Sequence, residues 1–123
     1  MTRKRLVTEI GRGTDLRGRD YTKAAVRALQ DALHRNSLTV VPALGYPRDA
    51  MEVEIRIGVT APDAIDHEAV AAVLPYGRAS VEVVRGGLDI PADEGDGVTV
   101  VATAVAVVWL DMDDKAAPGE HAT

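Results

Sequence analysis

The chain has 123 residues, a formal net charge of −5, an apolar fraction of 46% and no cysteine. That length suits one domain and buries roughly 65–70% of the unfolded surface. The acidic balance disfavours non-specific binding to nucleic acid or an anionic membrane, one Trp and three Tyr are too few for a base-stacking platform, and the lack of Cys excludes disulfides, thiolate chemistry and Cys-type zinc sites.

Met1–Arg5 is basic but no signal-like apolar run follows it, and no stretch of about 20 residues is apolar enough to span a bilayer, so a cytoplasmic location is expected. Lys4–Ile10 reads as a first strand, with Leu6, Thr8 and Ile10 on one face and Val7 and Glu9 on the other. Gly11–Asp20 reads as a loop. Tyr21–Arg35 follows as a helix, with Ala25, Leu29, Ala32 and Leu33 at helical spacing and Asp20 as N-cap. Ser37–Arg48, with two prolines and a glycine, is connection. Ala50–Val59 alternates Met51, Val53, Ile55, Ile57 and Val59 with Glu52, Glu54, Arg56 and Gly58, a strand with one buried and one wet face. Asp66 caps a short helix, His67–Leu74, which Pro75-Tyr76-Gly77 stops. Ala79–Val84 is a third strand, Arg85–Gly97 a long loop or hairpin, and Val98–Leu110 a fourth strand. The domain is expected over residues 1–111, with 112–123 a polar, flexible tail.

The order β-α-β-α-β-β predicts an α+β two-layer sandwich, two helices on one face of a four-stranded sheet. The fourth strand is apolar on both faces: Val98, Val100, Ala102, Ala104, Ala106 and Val108 on one, Val101, Val105, Val107 and Trp109 on the other. Two helices cover one face only, so the other calls for a second subunit. Ala and Val dominate the apolar residues and Phe is absent, which adds to the expectation of burial between subunits. The element order resembles the Bacillus-type chorismate mutase fold, also used by the YjgF/Rid deaminase proteins. That resemblance implies a homotrimer with ligand sites between subunits.

Chemistry concentrates in Gly11–Lys23. Gly11, Gly13 and Gly18 permit sharp turns and close approach to a ligand. Arg12, Arg17, Arg19 and Lys23 place positive charge near a helix start, where free amides also favour anions. Leu16 breaks the dinucleotide pattern G-x-G-x-x-G, and Arg19-Asp20 after Gly18 breaks the Walker A pattern, which excludes NAD and ATP loops. The structural alternative is a tight glycine turn, with Asp15 bonding its own backbone and the arginines solvated.

The run Gly-x-Gly-x-Asp-x-x-Gly at 11–18, the segment Asp20-Tyr21-Thr22-Lys23-Ala24-Ala25-Val26-Arg27-Ala28, and the later Leu74-Pro75-Tyr76-Gly77 and Val83-Val84-Arg85-Gly86-Gly87-Leu88 resemble a family of conserved hypothetical bacterial and plant proteins over about Lys4 to Leu110. That family has no settled function, and its motif often has His where Arg17 stands. Gly86-Gly87, with Lys23 and Ser80, more faintly resemble one repeat of the ring-opening amidohydrolases, the cyanuric acid hydrolase and barbiturase group. Those enzymes use a Lys–Ser pair with the serine beside two glycines; here Arg85 precedes the glycines.

These readings yield an oligomeric domain binding a small anionic or polar cyclic ligand at a subunit interface, with amidohydrolase-like catalysis left open. Asp15 and Lys23 are the candidate catalytic residues. Gly11, Gly13, Thr14, Arg17, Gly18, Arg19, Arg78, Gly86 and Gly87 are the candidate ligand-binding residues. No metal or other cofactor is expected: His34, His67 and His121 lack ligand spacing. Asp111-Met112-Asp113-Asp114 lacks the glycine and distal glutamate of a calcium loop and reads as an acidic tail. Asp93–Gly97 reads as a turn whose carboxylates are available to a neighbouring subunit. Glu52, Glu54 and Arg56 suggest cross-strand ion pairs. The competing function is a non-catalytic assembly or regulatory module whose Gly/Arg loop is a subunit contact.

Overall fold

A computed structural model describes residues 2–33 and 38–113. A five-stranded mixed sheet carries helices on one face. The strands are β1 (Thr2–Asp15), β2 (Glu52–Val59), β3 (Arg78–Arg85), β4 (Leu88–Pro91) and β5 (Val98–Met112). The helices are α1 (Tyr21–Leu33), α2 (Val40–Ala43) and α3 (His67–Ala71). The order along the sheet is β1-β5-β2-β3. β5 is antiparallel to both β1 and β2, β2 is parallel to β3, and β4 pairs with the first residues of β5.

The alternation expected in β2 holds: Met51, Val53, Ile55, Ile57 and Val59 are buried under the helices. On the other face Arg56 pairs with Glu82 at 3.7 Å and Arg78 with Glu52 at 2.6 Å, the ion pairs anticipated across these strands. Asp20 caps α1, accepting from Lys23 N at 3.0 Å, and Asp66 caps α3, accepting from Glu68 N and Ala69 N. The loop Arg85–Gly97 contains β4. Asp93–Gly97 forms the turn that follows, closed by Ala92 N donating to Gly97 O at 2.9 Å. Within the expected connection lies α2. Of the expected first helix, 34 and 35 fall outside the described residues. β5 continues through Met112, which is fully buried, one residue past the expected domain boundary; 114–123 lie outside the described residues.

The main correction concerns Gly11–Asp20. Gly11–Asp15 is strand, not loop: these residues pair in unbroken register with Ala104–Val100 of β5. Gly11 and Gly13 are buried there and face α1. A Cβ on Gly11 would run into Ala28 O and Ala32 N and lie 2.9 Å from Ala32 Cα; one on Gly13 would meet Ala24 O, Ala28 N and, at 2.7 Å, Arg27 C. The helix answers with Ala24, Ala28 and Ala32, all fully buried. Two rows of small residues thus bring helix backbone onto strand backbone. A bulge between Arg5 and Val7 also alters the expected facing of β1: Thr8 and Ile10 take the open face, while Leu6 packs against the core.

Close packing makes the two kinds of glycine in the run distinguishable. Gly13→Ala forces α1 off the sheet and should cost about 3 kcal/mol, the upper end for overpacking. Gly18→Ala meets only Asp15 Oδ2, at an ordinary 3.5 Å, and should leave stability within about 0.5 kcal/mol. Urea denaturation followed by circular dichroism checks both; equal stability of the two variants would remove the packing account.

Candidate functional site

After β1 ends at Asp15, five residues turn the chain into α1. The Asp15 side chain organises that turn. Its Oδ2 accepts from Gly18 N at 3.1 Å and Asp20 N at 3.0 Å, and Lys23 Nζ lies 3.8 Å from its Oδ1. The carboxylate is nearly buried, so these partners are what make its burial tolerable. The Asp20 amide is the strongest influence holding the Asp15 carboxyl below its ordinary value of 3.8; desolvation opposes it, and the Gly18 amide, Lys23 and Arg27 add to it. This is the tight turn bonded to its own backbone that the residues suggested. Arg19 adopts a left-handed conformation there, at φ 50°.

One row of α1 serves the outer edge of β1. At successive four-residue steps, Lys23 approaches Asp15, Arg27 Nη1 donates to Thr14 O at 2.7 Å, and Asp31 Oδ2 accepts from Arg12 N at 3.0 Å. An edge strand offers unpaired backbone groups; here side chains of the neighbouring helix take them. Tyr21 OH donates to Asp89 Oδ2 at 2.6 Å, tying the start of α1 to β4.

Beside this turn lies a cleft of about 610 Å³ lined by Asp15, Leu16, Arg17, Gly18, Asp20, Lys23 and Arg27. Three cations line it against two carboxylates, and both carboxylates already have partners. Arg17 is exposed and its side chain makes no hydrogen bond or ion pair among the described residues. The arrangement holds a cation ready for an anionic group. Asp15 is held as the carboxylate, with Gly18 N and Asp20 N on one oxygen and Lys23 Nζ near the other.

The structure therefore brings together Asp15, Arg17, Gly18 and Lys23 of the expected residues, with Thr14 adjoining through its carbonyl. Gly11 and Gly13 serve the helix contact. Arg78 sits at the far end of the sheet, bonded to Glu52, and does not meet this cleft within the chain. Gly86 and Gly87 form the crossing from β3 to β4. Gly87 has φ +63°, and a Cβ there would collide with Val101 O. Ser80 faces the open side of the sheet, level with Glu54, whereas Lys23 belongs to the helical layer, so the two do not form a Lys–Ser pair. His67 is exposed at the start of α3; His34 and His121 lie outside the described residues. Arg27, Asp31 and Asp89 were not anticipated as participants. The spacing of Lys23, Arg27 and Asp31 was the available signal, and nothing local marked Asp89.

Residues 5–108 match the family described as "Conserved hypothetical protein (Lin0512_fam)". A crystal structure of an FtsZ-like protein of unknown function from Nostoc punctiforme is similar at 32% sequence identity with a TM-score of 0.80, covering 91% of this chain and 99% of that one. No curated protein matches.

A depressed carboxyl contributes stability above its unfolded value and loses it as pH falls through the folded one. Asp15 should therefore stabilise the fold in full at neutral pH and progressively less below about pH 4. Asp15→Asn should lower the urea midpoint at pH 7, and its gap from wild type should narrow as pH falls through the acid range. A difference that does not change with pH would show that the charge of Asp15 is immaterial.

Proposed function

Because the chain belongs to the Lin0512_fam family of conserved hypothetical proteins, a description that names no activity, we propose its function from the cleft beside Asp15: it binds a small ligand carrying a carboxylate or phosphate, or a polar cyclic amide. The observation that carries this reading is Arg17, whose side chain has no partner among the described residues, on a cleft whose two carboxylates already have partners. Arg17 supplies a planar, two-pronged donor, and Lys23 and Arg27 add charge at its side. Asp15 is a positioning residue that shapes the turn. Thr14 and Gly18 supply its backbone, and Arg19 its left-handed step.

The separation of Lys23 from Ser80 favours binding over the ring-opening hydrolysis implied by the amidohydrolase resemblance. A second reading, an assembly module whose turn has no ligand, is favoured by the saturated hydrogen bonding of Asp15. For the architecture, we read the Bacillus chorismate mutase-like arrangement. The support is a last strand lying antiparallel between the first two.

Calorimetric titration separates the two functional readings. Inorganic phosphate, a dicarboxylate and a cyclic ureide are the probes. At least one should bind wild type, and Arg17→Ala should weaken it about tenfold or more, as expected for a lost hydrogen bond to a charged group. Heat from none of the probes, or equal affinity in both proteins, would leave the ligand reading without support.

A further inference from the structure

The sheet has one face under the helices and one open face. In register across the open face lie Arg5 and Trp109, Thr8 and Val107, Ile10 and Val105, and Thr14 and Val101 on β1 and β5. Leu88 and Ile90 of β4 extend the same face beside Val101 and Thr99. Val84 of β3 continues it beyond Gly58. Ile10, Val84, Leu88 and Ile90 are between 43% and 61% exposed, and these four are most of the large apolar side chains left in solvent among the described residues. Leu16, in the turn after β1, and Leu44, which caps the end of α2, are the others.

The charges on this face are sorted. The β1 side presents Arg3, Arg5 and Arg12. The β2–β3 side presents Glu52, Glu54 and Glu82; Arg56 pairs with Glu82, and Glu52 pairs with both Arg78 and, across Trp109, Arg3, which leaves Arg5 and Arg12 on the β1 side and Glu54 on the β2 side without an ion pair among the described residues. The apolar stripe runs between them. With Arg5 and Arg12 left unpaired on one flank and Glu54 on the other, among the described residues, across an apolar centre, the surface is complementary to a copy of itself turned around. From strand spacing and rise, the face covers roughly 700 Å², close to the ~800 Å² per partner of a standard stable interface.

We propose that this open face is a self-association surface and that its occupant is a second copy of the same chain. The basic β1 flank of one copy lies against the acidic β2–β3 flank of the other, and the stripe through Ile10, Val105 and Leu88 forms the dry centre. Leu16 carries the apolar surface to the rim of the Asp15 cleft: its carbonyl accepts from Thr99 Oγ1 at 3.3 Å, and its side chain is 65% exposed. A second copy seated on the face therefore borders that cleft. This last step rests on the ligand reading; the self-association does not.

Sedimentation velocity without any added anionic ligand tests it independently of the cleft. The wild type should sediment as a species larger than the 13.0 kDa chain. Ile10→Asp and Leu88→Asp, each at an exposed position and each checked for native circular dichroism, should both shift it to monomer. Leu44→Asp, off the sheet, should leave it assembled. Trp109 is the single tryptophan and lies on the face, so dilution of wild type should shift its emission, and the two disrupting variants should remove that concentration dependence. A wild type that remains monomeric at about 200 μM would overturn the proposal. So would an oligomer that survives both face substitutions.

Discussion

The closeness of α1 to β1 is the constraint on which the rest of the structure depends. Gly11 and Gly13 leave no side chain between strand and helix, and Ala24, Ala28 and Ala32 leave almost none on the other side. A helix held at this short distance has side chains within reach of the strand's outer edge. Arg27 and Asp31 then take the backbone groups of Thr14 and Arg12, which at a normal spacing would need water or another strand. The same closeness fixes where the first turn of α1 begins, and so places Lys23 beside Asp15. A contact made of the smallest residues thus determines where the charged ones stand.

Much of the fold was legible because its signals are local and periodic. The two-residue alternation of Met51–Val59 and the caps Asp20 and Asp66 needed no tertiary knowledge. The glycine run reads as a loop in the sequence and is half strand in the structure, because glycine has two uses that look alike in a sequence. It allows turns, and it allows close packing. Gly18 lies in the turn, whereas Gly11 and Gly13 lie under a helix. The distinguishing sign lay downstream, in alanines at 24, 28 and 32 at a four-residue spacing, a pattern that calls for a partner surface without Cβ atoms. Asp15 as an organiser of its own turn was readable, since an Asp before a glycine turn has nearby amides to accept from. Arg78 is expected at the cleft as a residue supplied by an adjacent subunit, and within the chain it lies elsewhere. The register of β2 with β5 places it at the other end of the sheet, and register is a long-range property that no local pattern encodes.

The two faces of β5 show how composition foreshadows architecture. Val98 through Met112, at every second residue, is buried under the helices, while of the intervening residues Thr99, Val101, Thr103, Val105 and Trp109 are only half covered by their neighbours in the sheet. A strand apolar on both sides, set in the middle of a sheet with helices on one side, leaves valine and isoleucine facing water in the single chain. The family description names no activity, and the similar Nostoc protein is of unknown function. The cleft and the open face are therefore the two features from which chemistry and association have to be read.

The glycine–alanine contact sets a distance but barely sets a position along the axis. Four residues of helix advance about 6.0 Å, and two residues of strand about 6.6 Å. The two repeats nearly coincide, like a scale read against a vernier. Slid by one turn, α1 would still present alanine to each glycine, so it is the buried Leu29 and Leu33 and the polar row that resist the slide. Such a slide would break the bonds from Arg27 to Thr14 and from Arg12 to Asp31, and would part Lys23 from Asp15. The polar row and the buried leucines are thus the detent on the rail that glycine and alanine make, and the cleft stands wherever that detent holds the helix.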